Sequence, residues 1–436
     1  MVDMKKIISF IFFLIISCVG VSAQFPDSLI IQTKKVKGFG PFPRMLTTTR
    51  TMGEENLWAK AIPTIKNIPK DLESPMFAVL HTDFLQHTYQ SYFEQKITTE
   101  RFNELKSVWN WNPLPAKYSQ NFVKEGIAIA AGFDEYGKLK IKVDANNNYD
   151  LSDNAYFSLA PKRPDQPLHG DSLLIEVQYQ FFDGHLKTAH TWLYLSTSSE
   201  EKAVPIELFY AFAEHQYGEF SVNGEKYYVA ILSDRAVFRN NYNIKVWTDE
   251  TEKELRHGRG LQRNEYVRFG NVFYKFVHAS IDGSEILLVK DEKAVEKGGH
   301  QVGLKAPNFT GTSISGKEIE LAKMKGNIVF LDFWGTWCSP CVKEMPELKG
   351  IYEKYKTKNF KMIGIAYDDI ESLTKYVKEN NIEWEQVIQS EEGKPIITSY
   401  NILGYPTTFL IDENGFIIGK GMRSQELDIK LEELLD

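Results

Sequence analysis

The sequence of 436 residues predicts an α/β domain over residues 301–436, preceded by a β-rich region of sandwich or meander type. Two patterns carry this expectation. Residues 328–333 are an apolar run with a β-branched start. Beyond Gly335, Val342, Met345, Leu348, Ile351 and Tyr352 recur at helical spacing, so a buried strand feeds a helix. Upstream, between 122 and 290, short strand-like runs alternate with two-residue turn signals such as Asp183-Gly184 and Asn223-Gly224.

Within the α/β domain a strand–turn–strand unit spans 309–321 about Gly316, followed by the central strand 328–333 and a helix over 342–355. A strand at 361–367 and a helix around 373–380 come next. Pro406 then precedes a strand at 408–411, the Asn414-Gly415 turn, a strand at 416–419 and a closing helix at 426–435. Strands that alternate with helices and finish in a hairpin define an α/β sheet. In the β-rich region, 122–290, the expected pairs are 127–131 with 138–143, 173–182 with 186–195, 220–222 with 227–232, and 267–269 with 272–279. A last strand follows at 286–289. Residues 24–121 are mixed: Thr98 caps a helix carrying Phe102, Leu105, Val108 and Trp109, while prolines at 41, 43, 63, 69 and 75 interrupt the rest. Residues 291–300 are charged and end in Gly-Gly-His, the composition of a linker.

A chain of this length exceeds one ordinary core, so two or three domains are expected. Net charge is −7 with no basic block, which removes the electrostatic footing for nucleic-acid binding. Lys5-Lys6, the apolar run 7–16 and Val21-Ser22-Ala23 have the layout of a secretory signal cleaved after Ala23, leaving an exported, periplasmic protein. The alternative is a lipoprotein box, Ile15-Ile16-Ser17-Cys18, with the protein lipid-anchored through Cys18. Either way Cys338 and Cys341 are the cysteines left for redox chemistry. A bridge across two residues closes almost no loop and stabilises little, so the pair is not a staple.

Cys341 falls in the first turn of its helix, and Cys338 at the helix entrance. Unpaired backbone N–H groups and the positive end of the helix dipole favour thiolate there. A thiolate attacks disulfides, and a second thiol one turn away can resolve the mixed disulfide. Haem attachment would need histidine where Val342 stands, and a structural zinc site would need two further ligands. Cys338, the more accessible by position, is the expected nucleophile; Pro340 suits the first helical turn. Asp332, a carboxylate among apolar strand neighbours, should have a raised pKa. Glu344 lies one turn past Cys341 on the same helix face. Pro406 cannot donate to a sheet and marks a bend. Trp337 is placed to shield the sulfurs, and Trp334 to fill core.

Phe333-Trp334-Gly335-Thr336-Trp337-Cys338-Ser339-Pro340-Cys341, with Gly404-Tyr405-Pro406-Thr407-Thr408-Phe409 downstream, resembles a thioredoxin-fold domain, and more narrowly the exported TlpA/ResA-like thiol-disulfide oxidoreductases. The likeness covers about 301–436, opening at Ala306-Pro307-Asn308-Phe309. It implies a Cys338–Cys341 disulfide with Cys338 attacking and Cys341 resolving. It also implies a cis peptide before Pro406 beside the disulfide, and a substrate-binding surface at Trp337, Tyr405 and Thr407. An aspartate at the Asp332 position moves the resolving cysteine's proton in thioredoxins; a glutamate at the Glu344 position tunes the pair in ResA-like enzymes. The implied activity needs no cofactor. Its implied partners are disulfide-containing proteins and a membrane thiol donor, often in cytochrome c biogenesis.

Two other functions compete. The Ala306-Pro307-Asn308-Phe309 opening is shared with thiol peroxidases, although their Pro-x-x-x-Thr-x-x pattern is absent before Cys338. Alternatively, the β-rich region binds a ligand or partner and carries the redox module as an accessory. One metal pattern stands apart: Asp144, Asn146, Asn148 and Asp150 place oxygen ligands at alternate positions, like the start of a calcium loop. Tyr149 replaces its glycine and Ala155 its bidentate glutamate, and an Asn/Asp-rich turn explains the same residues.

Overall fold

Seven consecutive buried residues, Ile328–Trp334, form the middle strand of a five-stranded sheet. The strand pairs in parallel with Phe360–Tyr367, which in turn pairs with Glu385–Gln389. On its other side it runs antiparallel to Thr407–Ile411, itself paired with Ile417–Lys420. Alternation along the middle strand splits its side chains between two cores. Ile328, Phe330 and Trp334 pack with residues of helices Ser339–Tyr355, Ile370–Glu379 and Ser424–Leu435. Val329, Leu331 and Phe333 pack with Ile319 of the hairpin Thr310–Thr312/Glu318–Glu320 and with Ile396 and Ile397 of the short helix Pro395–Ser399. The sheet is therefore the middle layer of three, and its burial on both faces explains the unbroken apolar run.

This computed structural model describes residues 25–44, 46–49, 61, 63–159, 172–197, 205–233, 235–239, 242–249, 260–389 and 395–435. The expected leader, with Cys18, lies outside them. Among the described residues no helix is long and apolar enough to cross a membrane.

Helices start earlier than their apolar periodicity suggests, because polar groups cap them. The cysteine helix begins at Ser339, with Cys338 as its N-cap; the next begins at Ile370, where the Asp369 side chain accepts from Ser372 N at 2.8 Å. Strand Glu385–Gln389 and helix Pro395–Ser399 were not anticipated. Both are only five residues long, and the strand carries Gln386 and Gln389 inward, which erases the apolar pattern.

Among the described residues, the β-rich region contains four antiparallel sheets of four strands. One apolar core joins the sheet containing Gly126–Phe133 to the sheet containing Leu186–Thr197, through Ile129, Ile141, Val177 and Leu193. A second core joins the sheets of Glu225–Leu232 and Val272–Ala279, through Val229, Ile231, Phe276 and Leu288. Sandwich packing, rather than a single meander, is the result. Residues 24–121 are woven into these sheets: Ser28–Gln32 pairs with Glu285–Lys290, Lys34–Lys37 with Glu214–Val222, Thr47–Thr49 with Leu208–Phe212, and Glu73–His81 with Gly126–Phe133. These pairings are far apart in sequence, so local pattern carries no trace of them.

The stretch 291–300 is not a free tether. It holds the one-turn helix Ala294–Lys297, and fully buried Ala294 packs with Phe273 and Leu304. The Gln301 side chain accepts from Tyr266 N at 2.6 Å and donates to Tyr266 O at 2.9 Å. Two apolar residues among many charges suffice to dock it.

Leu331 is fully buried in the middle strand, so Leu331→Ala should cost about 2–5 kcal/mol of stability. A urea unfolding midpoint equal to that of the unsubstituted chain would contradict this placement.

Candidate functional site

The central strand delivers the chain to Gly335, where it must turn sharply. A Cβ on Gly335 would lie 2.6 Å from Trp337 Nε1 and 2.9 Å from Tyr367 O, so only glycine lets the indole fold back over the strand end. Trp337 Nε1 donates to that same Tyr367 carbonyl at 2.8 Å, and Thr336 N donates to Asp368 Oδ2 at 2.6 Å. These bonds fix the approach to Cys338. The Trp337 indole is 58% exposed and meets Tyr405 edge-on at 5.3 Å, while Tyr405 stacks parallel to Tyr367 at 6.1 Å. Three aromatic rings thus form a wall beside the helix entrance.

Cys338 and Cys341 are joined by a disulfide with Cα atoms 5.3 Å apart. Cys338 N donates to Gly335 O at 3.0 Å, and Cys341 N donates to Cys338 Sγ at 3.3 Å. Cysteine takes the place of the usual Ser, Thr, Asp or Asn at the N-cap. The first turn of the helix contains no acidic residue, so nothing there offsets the positive dipole end at the sulfur. Position at the helix entrance did not make Cys338 accessible: it is 4% exposed, against 3% for Cys341. In the disulfide both sulfurs pack into the core that holds Trp334 and Met345, with Tyr405 against it.

Asp332 lies two residues from both Phe330 and Trp334, on the sheet face that the cysteine helix covers. It is buried, and that burial, with repulsion from Glu344 and partial relief from Arg423, raises its pKa to about 7. Its neighbour across the sheet is Gly364, where a Cβ would collide with the Gln386 amide 1.9 Å away. The space matters because Gln386 Oε1 accepts from Trp334 Nε1 at 2.9 Å, anchoring the indole beneath the cysteine helix.

Glu344 is neither loose nor solvated. Arg423 Nη1 donates to one of its oxygens at 2.6 Å; the backbone N and Oγ of Ser424 donate to the other, each at 3.0 Å. Ser424 opens the last helix, so the Glu344 carboxylate sits at that helix's positive end and starts it two residues before Glu426. Arg423 and Ser424 are 79 and 80 residues from Glu344 in sequence, and no local signal could have named them.

The Tyr405–Pro406 peptide is cis, and Thr407 begins the strand that follows. Thr407 Oγ1 donates to Gly404 O at 2.7 Å, closing the turn. Beside this turn lies an open cavity of about 840 Å³, lined on one side by Leu403, Tyr405 and Lys420 and on the other by Leu261, Glu265 and Gln301.

The Asp144–Asp150 stretch is held by its own side chains and by Asn67. Asp144 accepts from Asn148 N at 3.1 Å and Tyr149 N at 2.9 Å; Asp150 accepts from Asn67 Nδ2 and Ser152 N. Asn146 and Asn148 both turn their amides to Asp153. These bonds build an Asn/Asp turn, with Asn147 and Tyr149 at positive φ.

The AhpC/TSA family model matches residues 302–420. The thiol-disulfide oxidoreductase ResA of Bacillus thuringiensis subsp. konkukian is 40% identical over 136 residues, 31% of this chain and 77% of the relative. ResA of Bacillus subtilis is 32% identical over 117 residues, 27% of this chain and 64% of the relative. The thioredoxin domain of a thiol-disulfide oxidoreductase from Bacteroides vulgatus is 34% identical, covering 31% of this chain and 99% of that one with a TM-score of 0.30. Through its C-terminal third, the chain belongs to the TlpA/ResA-like thiol-disulfide oxidoreductases.

The raised pKa of Asp332 has a consequence for stability. The folded chain holds this proton more tightly than the unfolded chain, so the stabilising contribution is complete below pH about 4 and is lost as pH rises through about 7. Asp332→Asn should therefore gain on the wild type by a few kcal/mol, in order of magnitude, between pH 5 and 8 in urea unfolding. Parallel pH profiles of the two proteins would contradict a buried, protonated Asp332.

Proposed function

We propose that this thiol-disulfide oxidoreductase acts on disulfides of extracytoplasmic proteins as a reductase, with Cys338 as nucleophile and Cys341 as resolving thiol. The observation that carries the reading is the bond from Cys341 N to Cys338 Sγ at the mouth of the helix. In the reduced protein the same N–H and the helix dipole stabilise a Cys338 thiolate. That thiolate attacks one sulfur of a substrate disulfide, forming the mixed disulfide and expelling the other substrate sulfur as thiolate, which takes up a proton. Cys341 loses its proton and attacks Cys338 Sγ, which releases the second substrate thiolate and closes the Cys338–Cys341 bond. Two electrons pass from the dithiol to the substrate.

Asp332 is the group proposed to take the Cys341 proton. It lies on the sheet face beneath Cys341, and a pKa of about 7 suits exchange in either direction at neutral pH. Glu344 is proposed to act on that proton indirectly: its charge raises Asp332, while Arg423 holds it in place. The substrate segment is proposed to run past Trp337 and along the turn Tyr405-Pro406-Thr407, pairing with exposed backbone beside the cavity. The β-rich region is proposed to stand as one unit ahead of an independently folding module, residues 301–436. Export by the leader, and recharging by a membrane thiol donor, complete the proposed cycle.

Full-length protein reduced with dithiothreitol should catalyse insulin reduction, and Cys338→Ser should abolish it. Cys341→Ser should accumulate a mixed disulfide with substrate, visible on non-reducing gels. Insulin turnover surviving Cys338→Ser would refute the assignment; rapid peroxide consumption dependent on Cys338 would favour a peroxidase instead. Separately, Asp332→Asn should displace the pH profile of Cys341 alkylation near pH 7, with Glu344→Gln displacing it less. No change in either variant removes both carboxylates from the mechanism.

A further inference from the structure

Far from the cysteines in sequence, three side chains that the redox chemistry does not use converge inside the β-rich region. His81 ends strand Glu73–His81, His87 lies in helix Phe84–Phe93, and Glu125 immediately precedes strand Gly126–Phe133. Glu125 Oε2 is 3.0 Å from His81 Nδ1, and Glu125 Oε1 is 2.9 Å from His87 Nδ1; the two imidazole centroids are 4.0 Å apart. All three residues are buried, at 8%, 2% and 2% exposure.

We propose that His81, His87 and Glu125 form a binding site for a zinc-class divalent ion, held by one nitrogen of each imidazole and a carboxylate oxygen. Two nitrogens and one oxygen are a donor set suited to zinc and its first-row neighbours. A tetrahedral ion with bonds of about 2.0–2.1 Å needs donor atoms roughly 3.3 Å apart, so the observed 2.9 and 3.0 Å require only small outward shifts.

The packing argues against a self-sufficient hydrogen-bond triad. Glu125 has no Lys or Arg ion-pair partner among the described residues; its partners are the two histidines. Arg239, which reaches the same helix, is spent on Asp83 at 2.6 Å and on the carbonyls of Lys117 and Phe182. His81 Nε2 is buried and makes no hydrogen bond, so the ring's polar contact is made through Nδ1, the atom that faces Glu125. A divalent ion neutralises the buried carboxylate, and each neutral imidazole then carries its proton on the nitrogen that does not bind. Coordination would add a bridge between helix Phe84–Phe93 and the paired strands Glu73–His81 and Gly126–Phe133, beside the hydrogen bonds that Gln90 makes with Val123. Glycine at position 126 is required by the packing next to the cluster: a Cβ there would collide with Val79 Cγ1 at 2.5 Å.

The test uses the untagged full-length chain with Cys338–Cys341 oxidised, so that thiols cannot bind the metal. Refolded with a slight excess of zinc chloride and dialysed, it should retain close to one zinc per chain by mass spectrometry. X-ray absorption should show two imidazoles and oxygen without sulfur. Cobalt(II) in place of zinc should give visible d–d bands. Glu125→Gln and His81→Gln should weaken zinc binding roughly 100-fold or more and lose the zinc-dependent rise in Tm. Less than a tenth of an equivalent of zinc retained by the wild type, a sphere with fewer than two imidazoles, or unchanged affinity in the variants overturns the proposal. The wild-type spectroscopy decides the matter even where a variant fails to fold.

Discussion

One contact organises the redox end of this molecule: a backbone amide at the start of a helix pointing at sulfur, Cys341 N to Cys338 Sγ at 3.3 Å. An isolated Cys-x-x-Cys peptide would not hold that geometry, because a single helical turn does not nucleate on its own. The rest of the domain supplies what is missing. A fully buried central strand fixes where the helix begins, and Gly335 allows the sharp exit from that strand. Trp334, pinned by Gln386, fills the space beneath, and Trp337, bonded to Tyr367 O, sets the approach above. Each is a positioning device for one sulfur.

The electrostatics follow from the same packing. Placing Asp332 on the covered face of the strand strips it of water and brings it near Glu344, so it keeps its proton to about pH 7. The Glu344 carboxylate beside it is held by Arg423 and by the opening N–H of the last helix. Two acids with a shared location thus have different environments: Asp332 is buried among apolar neighbours, and Glu344 is clamped by Arg423 and Ser424.

Much of the C-terminal domain was legible because its signals are local. The apolar strand, the helical spacing after Cys341 and the Asn414-Gly415 turn each sit within a few residues. The hairpins about Asp183-Gly184, Asn223-Gly224 and Gly270-Asn271 were legible for the same reason, and all three formed. Sheet edges were not: Glu385–Gln389 buries glutamines and shows no apolar alternation. Non-local pairing was hidden too, so the strands between 28 and 81 could not be assigned partners, and the docking of 291–300 was masked by its charges. At the site, the cysteines and both acids were visible by position, whereas the Arg423–Ser424 clamp on Glu344 and the His81–His87–Glu125 cluster exist only through long-range folding. The limited exposure of Cys338 was likewise invisible, since accessibility depends on what packs around the helix entrance.

Redox titration of the full-length chain tests the central claim most directly, with thiol content read by alkylation across a range of dithiothreitol and glutathione ratios. A single two-electron transition is expected, assigned by mass spectrometry to Cys338 and Cys341, with Cys338 the first to alkylate at neutral pH. Failure of the pair to cycle between dithiol and disulfide, or preferential alkylation of Cys341, would contradict it.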